Sequence, residues 1–396
     1  MGQKDAAPSF NFFCEGNAAG HSSGQEITEK TKARRKAAAR GGSMKFIHIA
    51  DVHLGAQPDA GRAYSKERPR ELWDALERVL DVCEEEQTDL LLIAGDLFHR
   101  QPLLRELKEL DYLFSELSHT KVVLIAGNHD YIRRDSYYRT FRWNGNVIPL
   151  FGRNPEYVEF PELRTAVYGF SYHSRELREP LCDSLFAQGK QMYEILLAHG
   201  GDEKHVPMNR TALEKSGFDY IALGHIHKPQ ALVKNRIVYS GALEPTDRND
   251  TGPHGYVRGE IQQQGVRTQW IPCACREYIH LEIQADEEDT SGSLKKKINQ
   301  RISEYGKENI YKIVIKGRKS AEIVFDTKHM DEFGNIVEIV DESRPAYDFA
   351  KLLRENSDNL IGKYIEAFSG CSEDSVEYQA MCEGVEALLE NKGQQE

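Results

Sequence analysis

No stretch of this 396-residue chain approaches the roughly 20 consecutive apolar residues that a membrane-spanning helix requires. Its first residues also do not show the basic-then-apolar pattern of a secretory signal peptide. Cysteine is scarce and odd in number, at seven, which predicts a reducing, cytoplasmic location. Cys273 and Cys275 form a C-x-C pair, but no second pair is near it in sequence, so a thiolate zinc site is not expected.

Basic charge is also in deficit, since 51 Lys and Arg stand against 63 Asp and Glu and the formal net charge is −12. Most nucleic-acid-binding proteins show a global basic footprint, which this chain does not have. A metal-dependent nuclease is not excluded, because bound divalent cations neutralise acidic groups and local basic loops can contact DNA. The length and a hydrophobic fraction of 40% fit a chain of two or three domains.

Residues 1–43 differ from the rest, because they are rich in Gly, Ala and Ser and have no sustained apolar period. We expect a disordered extension there. Two alternatives remain open. Translation could start at Met44, with the upstream residues arising from a mis-assigned start codon. The six basic residues between Lys30 and Arg40 could instead form a DNA-binding arm.

A short apolar run that ends in Asp, Asn or His occurs five times in the chain. The segments are Lys45–His53, Asp89–Asp96, Lys121–Asp130, Tyr193–Gly200 and Asp219–His227. Each run has the length and the β-branched or Leu-rich composition of a buried strand. Ligands of open α/β sheets bind outside the carboxyl ends of strands, where these polar residues would stand. The pattern therefore predicts one polar site built from several strand ends.

Helical and β-like patterns lie between and after these strands. Glu67–Glu86 and Leu103–Leu117 carry helical apolar stripes, so βαβ units are expected. The shorter runs Arg236–Ser240 and Gly255–Ile261 predict a second, more antiparallel sheet.

Three regions follow the extension. Residues 44–272 form the α/β domain, and residues 273–343 have the pattern of a small α+β domain. Residues 344–396 are charged and helical with an apolar stripe. That stripe could pack on its own domain or face a partner helix.

The polar residues at the strand ends comprise two Asp, one Asn and four His. They are Asp51, His53, Asp96, Asn128, His199, His225 and His227. In extended backbone, residues i and i+2 point to the same side. Asp51 and His53 can therefore face one ion together, and so can His225 and His227. Mixed oxygen and imidazole donors suit manganese, iron or zinc and argue against calcium. Two divalent ions about 3.5–4 Å apart can activate a shared water and stabilise an in-line displacement at phosphorus.

Three further residues are candidates for catalysis. A leaving alkoxide needs a proton, and His129, directly after Asn128, could supply it. Asp130 could orient that imidazole or hold the loop, and His99 could contact phosphate or support the ligands. The other histidines considered are expected to be structural or solvated: His48 is packed in its strand, and His173, His205 and His254 lie in solvated loops.

These residues resemble the motifs of the calcineurin-like metallophosphoesterases: D-x-H, G-D-x-x-(D/H), G-N-H-D, a lone His and G-H-x-H. Within that superfamily, the segments around them are similar to those of the SbcD-type DNA exonucleases. The similar segments are Ile49–Gly55, Ala94–His99, Ala126–Asp130, Ala222–His227 and Tyr239–Glu244. The resemblance implies an α/β fold, a double-sheet sandwich flanked by helices, followed by a small α+β capping domain and C-terminal helices.

The resemblance also implies roles for the candidate residues. One metal ion would be held by Asp51, His53, Asp96 and His227, and the other by Asp96, Asn128, His199 and His225. His129 matches a histidine that serves the leaving group or phosphate, and His99 matches a phosphate-contacting position. Proteins of this type usually use Mn²⁺, with Fe²⁺ or Zn²⁺ as alternatives, and work on DNA with an SbcC-like coiled-coil ATPase. They tend to form homodimers, and no membrane partner is implied.

The leading hypothesis is a two-metal-dependent DNA exonuclease of DNA repair. Arg133, Arg134 and Arg139 are candidates for contact with the phosphate backbone, or else they are solvated surface arginines. The alternative enzyme is a phosphodiesterase or phosphatase acting on small nucleotides. A scaffold with a vestigial site is disfavoured, because every candidate ligand is present.

Overall fold

The computed structural model describes residues 10–12, 43–372 and 375–393. Within the predicted extension, only a three-residue strand and Ser43 are described. The predictions of disorder, of a start at Met44 and of a basic arm therefore concern residues that lie largely outside the described ones. The chain divides into two compact units, one ending at Tyr278 and the other beginning at Ile279. The predicted domain limits remain predictions.

The described residues form 17 β-strands and seven α-helices. The strands are, in chain order, β1 (Phe10–Phe12), β2 (Met44–Ile49), β3 (Leu90–Ala94), β4 (Lys121–Ile125), β5 (Val147–Pro149), β6 (Glu156–Phe160), β7 (Thr165–Gly169), β8 (Tyr193–His199), β9 (Tyr220–Gly224), β10 (Gln230–Val233), β11 (Ile237–Tyr239), β12 (Gly255–Gln262), β13 (Gly265–Pro272), β14 (Tyr278–Ala285), β15 (Ile310–Ser320), β16 (Ile336–Asp341) and β17 (Arg344–Ala346). The α-helices are α1 (Arg68–Glu85), α2 (Leu104–Ser115), α3 (Arg210–Lys215), α4 (Ser291–Tyr305), α5 (Phe349–Glu355), α6 (Leu360–Ala367) and α7 (Val376–Gly393). All five strands expected to end in polar residues are present, as β2, β3, β4, β8 and β9.

One sheet of the first unit has six strands in the order β13-β12-β2-β3-β4-β5. The strands β2 to β5 are parallel, with Phe46 opposite Leu90 and Leu90 opposite Lys121. Because parallel strands share a direction, the carboxyl ends of β2, β3 and β4 meet at one edge of this sheet.

The other sheet has seven strands in the order β1-β6-β7-β8-β9-β11-β10. Its central strands β7, β8, β9 and β11 are parallel, and Ile195 lies opposite Tyr220. The carboxyl ends of β8 and β9 therefore also lie side by side.

The two sheets pack face to face, and helices cover their outer faces. In β3, Leu92 and Ala94 belong to the core shared with β8 and β9, whereas Leu91 and Ile93 pack with residues of α1 and α2. Side chains alternate between the faces of a strand, so both faces of a strand covered on two sides must be apolar. The outer face of the seven-stranded sheet packs with residues such as Leu213 of α3. The predicted double-sheet sandwich flanked by helices is confirmed.

A second sheet with several antiparallel pairs is present, but the two later runs that predicted it lie in different sheets. The run at residues 236–240 forms β11, which pairs in parallel with β9 in the seven-stranded sheet. The run at residues 255–261 forms β12, which is antiparallel to β2 in the six-stranded sheet. A local pattern predicts a strand but not its partner, because pairing is decided by long-range packing.

The second unit contains a smaller sheet and four helices among its described residues. Its strands lie in the order β14-β15-β16, and β17 also pairs with β15. Helix α4 buries Leu294, Ile298 and Ile302 in the core of this sheet. The helices α5 to α7 share a separate apolar cluster, while Leu360 and Val376 are exposed. Among the described helices, none combines the length and apolarity needed to cross a membrane.

Candidate metal centre

The seven candidate ligands all lie at or just past the carboxyl ends of five strands. Asp51 and His53 follow β2, Asp96 follows β3, and Asn128 follows β4. His199 is the last residue of β8, and the pair His225 and His227 follows β9. Three of these strands belong to one sheet and two to the other, so the polar groups meet where the edges of both sheets come together.

The backbone turns sharply at four of these candidates. The φ angles are 51° at Asp51, 53° at His53, 49° at Asp96 and 95° at His225. Non-glycine residues rarely adopt positive φ, and each such conformation costs on the order of 1–3 kcal/mol. Strain of this kind persists only where the surroundings enforce it, and it clusters at functional sites. The backbone thus indicates a functional centre independently of any motif.

One group of donor atoms forms around Asp51, His53 and His227. The Nε2 atoms of His53 and His227 lie 3.1 Å apart. The donor atoms of the three residues are all within 4.8 Å of one another. Asp51 and His53 are buried, and His227 is partly exposed. Ligand atoms around a common cation adopt this arrangement.

A second group forms around Asn128. Its Oδ1 atom lies 3.0 Å from His199 Nε2 and 3.1 Å from His225 Nδ1. His199 Nε2 also lies 3.3 Å from Asp96 Oδ2. The donor atoms of Asp51, Asp96 and His199 are within 4.8 Å of one another, so the two groups are adjacent.

The buried carboxylates and imidazoles of the two groups shift one another's pKa values. Burial raises the pKa of Asp51 above its ordinary value. Burial has the same effect on Asp96, but the neighbouring His199 outweighs it and holds the pKa of Asp96 well below its usual range. Burial would lower the pKa of His199, but the Asp96 carboxylate raises it to about 9. The two buried carboxylates and the imidazoles around them form clusters of donor atoms that could hold divalent metal ions.

Glycines beside the candidate ligands leave room for this packing. Gly95 has a φ of +91°, and a Cβ atom added there would lie 2.5 Å from His199 Nδ1. A Cβ at Gly127 would collide with the Asp96 carboxylate. A larger residue at either position would displace a candidate ligand.

The outward-facing nitrogens of three histidines are also held. His199 Nδ1 lies 2.9 Å from the carbonyl oxygen of Ala94. His225 Nε2 lies 2.7 Å from Asp202 Oδ2, and His227 Nδ1 lies 2.9 Å from Asp250 Oδ2. Sequence reasoning missed both aspartates. Each lies 23 positions from its histidine, in a loop without a recognisable motif.

The expectation of solvated loop histidines fails at all three positions, since His173 is also partly buried, with its Nε2 atom 2.9 Å from the carbonyl oxygen of Phe151. His254 is buried, with 2% of its surface exposed. His205 is half-buried, with its Nδ1 atom 2.9 Å from Asp202 Oδ2 and its ring beside His225. These loops fold back onto the first unit, which local composition does not reveal. His48 is buried as expected, and its Nδ1 atom lies 2.9 Å from Tyr220 Oη.

The candidate proton donor His129 lies beside the first donor group. Its ring centroid is 4.9 Å from that of His53, and its Nδ1 atom lies 3.1 Å from the carbonyl oxygen of His99. Its backbone N–H donates to Asp96 Oδ1 at 2.8 Å. His99 Nδ1 lies 3.4 Å from His53 Nδ1. The structure therefore brings both histidines to the edge of the centre.

Asp130 holds the loop that carries Asn128 and His129. Its carboxylate accepts hydrogen bonds from the backbone N–H of Gly127 at 2.8 Å and of Phe98 at 3.2 Å. It also accepts from the Tyr138 hydroxyl at 3.0 Å. Burial, followed by repulsion from Asp96, raises its pKa to about 7. Its hydrogen bonds match the second of the two roles considered for it, that of fixing the loop.

Residues 44–229 match the family described as calcineurin-like phosphoesterases. The "uncharacterized metallophosphoesterase YhaO" of Bacillus subtilis is 31% identical over 234 residues, which cover 54% of this chain and 56% of that protein. The "DNA double-strand break repair protein Mre11" of Methanocaldococcus jannaschii is 29% identical over 220 residues, 52% of this chain and 58% of that protein. A subunit of the nuclease SbcCD of Staphylococcus saprophyticus is 26% identical over 264 residues, 58% of this chain and 69% of that protein. The chain thus spans less than two thirds of the length of the first two relatives.

Proposed function

We propose, on the premise that residues 44–229 form a calcineurin-like metallophosphoesterase domain, that this protein is a two-metal-dependent DNA exonuclease. The observation that carries the proposal is the meeting of seven oxygen and imidazole donors from five strand ends in two adjacent groups. Two-metal hydrolysis of a phosphodiester needs adjacent cations, and no single strand end supplies enough donors for two.

The residues divide between two ion positions. One ion would be held by Asp51, His53, Asp96 and His227, and the other by Asp96, Asn128, His199 and His225. Bound divalent ions supply the Lewis acidity that activates water and stabilises negative charge on the phosphate. We propose Mn²⁺ as the physiological ion, with Fe²⁺ and Zn²⁺ as alternatives, since all three suit this donor set.

The proton for the leaving oxygen comes from His129 in this proposal. Its Nδ1 atom faces the His99 carbonyl oxygen at 3.1 Å, so Nδ1 carries a hydrogen and Nε2 is the nitrogen that exchanges a proton with the leaving group. Asp130 keeps the loop in place through its bonds to Gly127 and Phe98. His99 supports the imidazole of His129 and lies where a phosphate oxygen could be contacted.

Two observations support DNA as the substrate. Two of the relatives carry names that refer to DNA break repair or to a nuclease. In addition, residues 131–153, which follow the Gly127–Asp130 loop, contain five arginines and one acidic residue in a chain with a net charge of −12. All five arginines are exposed, namely Arg133, Arg134, Arg139, Arg142 and Arg153. An exposed basic segment that directly follows the loop of Asn128 and His129 in the chain is suited to phosphate-backbone contact.

The proposal extends to a partner protein. The relative that is named as one subunit of the nuclease SbcCD supports a partner protein, which we propose to be an SbcC-like coiled-coil ATPase. Homodimerisation, which the family resemblance implies, and a cytoplasmic location, which the cysteine usage implies, remain predictions.

The decisive experiment is cleavage of end-labelled linear duplex DNA by the purified full chain in Mn²⁺, with Asp51→Asn as the inactive control. Stepwise shortening that is absent from the variant supports the nuclease. Hydrolysis of bis(p-nitrophenyl) phosphate without any DNA cleavage would favour the small-nucleotide phosphodiesterase. Absence of both activities would refute the proposed function.

The basic segment can be tested separately through the salt dependence of DNA binding. Arg134→Ala and Arg139→Ala should each reduce the slope of log affinity against log salt by about one, because each lost phosphate contact releases one counterion fewer. Arg210→Ala, on α3, is the matched surface control. Equal slopes for all three variants and the parent chain would remove this segment from the DNA interface.

A further inference from the structure

Two carboxylates outside the candidate ligand set contact the two histidines that follow β9. Asp202 Oδ2 lies 2.7 Å from His225 Nε2, and Asp250 Oδ2 lies 2.9 Å from His227 Nδ1. The other nitrogen of each ring faces the donor groups. His225 Nδ1 lies 3.1 Å from Asn128 Oδ1, and His227 Nε2 lies 3.1 Å from His53 Nε2. Each imidazole thus has one nitrogen on a carboxylate and one in the centre.

The two histidines face the donor groups with different ring nitrogens. A neutral imidazole carries one N–H and one lone pair, and an acceptor beside one nitrogen fixes the hydrogen there. The carboxylates therefore place the hydrogen on Nε2 of His225 and on Nδ1 of His227. The lone pairs of His225 Nδ1 and His227 Nε2 then face the centre, where a cation would need them.

We infer that Asp202 and Asp250 are positioning residues, which set the tautomer and the ring orientation of His225 and His227 for metal binding. The inference rests on the proposed function and deepens it. Each aspartate acts on a different ion, because His227 belongs with Asp51 and His53, whereas His225 belongs with Asn128 and His199.

Both carboxylates are anchored by their own loops. Asp250 Oδ2 also accepts hydrogen bonds from the backbone N–H of Thr246 at 3.1 Å and of Asp247 at 3.2 Å. Asp202 Oδ1 accepts from the backbone N–H of Lys204 at 2.7 Å and of His205 at 2.9 Å. Each acceptor is therefore held in place by the backbone, independently of the histidine that it contacts.

The two aspartates differ in exposure, so their effects should differ in size. The Asp250 side chain is 16% exposed and the Asp202 side chain is 47% exposed. Water competes with a carboxylate more effectively when the carboxylate is exposed, and Asp202 also contacts His205 Nδ1. We expect Asp250 to have the larger effect on metal affinity.

A rival arrangement would make Asp202 a metal ligand itself. The donor atoms of Asp202, His205 and His225 lie within 4.8 Å of one another. If an ion bound there, His205→Ala would remove one equivalent of bound metal. If Asp202 only positions His225, His205→Ala leaves the number of bound ions at two.

The test is calorimetric titration of the metal-free full chain with Mn²⁺. Asp250→Ala should weaken one of two binding events about 10- to 100-fold and leave the other nearly unchanged. Asp202→Ala should weaken the other event, by less. Glu203→Ala, an exposed position in the loop of Asp202, is the control and should bind both ions as the parent chain does.

A conservative variant separates orientation from folding. Asp250→Asn keeps an acceptor oxygen, so it should retain more affinity than Asp250→Ala, while the unfolding midpoint of both metal-free variants checks that they fold. Two intact binding events in Asp250→Ala and Asp202→Ala, or equal losses in Asp250→Asn and Asp250→Ala, would overturn this inference alone. Absence of Mn²⁺ and Zn²⁺ binding by the parent chain would overturn the proposed function together with it.

Discussion

The Nε2 atoms of His53 and His227 face each other at 3.1 Å, although the two residues are 174 positions apart in the chain. His53 follows β2 in the six-stranded sheet, and His227 follows β9 in the seven-stranded sheet. His227 Nδ1 lies 2.9 Å from Asp250 Oδ2, a contact that favours the tautomer with its hydrogen on Nδ1. The Nε2 lone pair of His227 is therefore directed at His53, an arrangement that a shared cation would stabilise.

Metal binding should stabilise the folded chain. A ligand that binds only the folded state adds about 2.7 kcal/mol per site at a concentration one hundred times its dissociation constant. We expect Mn²⁺ to raise the unfolding midpoint of the metal-free protein, as measured by scanning calorimetry, and His227→Ala to reduce that rise. His119→Ala removes a histidine that is paired with Asp89 outside the centre and should keep the full effect. The same rise in both variants would contradict the ligand assignment of His227.

His129→Ala should lower the rate without releasing metal. Loss of a general acid costs about 10²- to 10⁴-fold in kcat. The kcat for a substrate whose leaving group needs no proton, such as a p-nitrophenyl diester, should fall much less than the kcat for DNA. Metal content by elemental analysis and kcat for both substrates check this. Loss of bound metal would make His129 a ligand, and equal losses on both substrates would argue against proton transfer.

Gly95→Ala should disturb the centre more than Gly61→Ala. Both glycines have positive φ, 91° and 98°, so alanine is strained at each by about 1–2 kcal/mol. Only at Gly95 would the new Cβ meet His199 Nδ1, at 2.5 Å, whereas nothing lies within 4 Å at Gly61. We expect both variants to lose stability in urea unfolding, but only Gly95→Ala to lose metal affinity. Equal metal affinities would show that His199 can shift without consequence.

His48 should make the fold sensitive to acid. Burial lowers its pKa to about 3 from 6.5, against the opposing effect of the Leu223 backbone. The unfolded chain binds the proton first as pH falls, so the stability from neutral His48 is complete above about pH 6.5 and is lost toward pH 3. Between about pH 6.5 and pH 4.5, the free energy of unfolding should fall by up to about 2.7 kcal/mol more in the parent chain than in His48→Gln. Parallel urea-unfolding curves against pH would refute a neutral buried His48.

The strands, the helices and the set of candidate donors could be predicted from local sequence. Leu90–Ala94 is apolar at every position and Tyr220–Gly224 at every position before its final glycine, because both strands are covered on both faces. Their length and composition alone indicate strands. The polar residue after each run then lies at a strand end by necessity, since the chain must turn there.

The strand pairings and the loop contacts could not be predicted from the sequence. The run that became β12 pairs with β2, about 200 residues earlier in the chain. His254, which is predicted to lie in solvent, is buried, and no local pattern points to Asp202 or Asp250. The path of a loop without regular structure depends on the surface against which it packs. The composition of the loop therefore does not predict its contacts.

The sequence alone thus determined which residues stand at strand ends and which donor chemistry they bring, because both depend on neighbours along the chain. Only the tertiary structure decided which nitrogen of each histidine faces the centre and which carboxylates hold the rings from outside. Those choices depend on groups such as His227 and Asp250, which approach to 2.9 Å only after the loops pack against the sandwich. The orientation of these side chains depends on tertiary packing, which no local sequence pattern specifies.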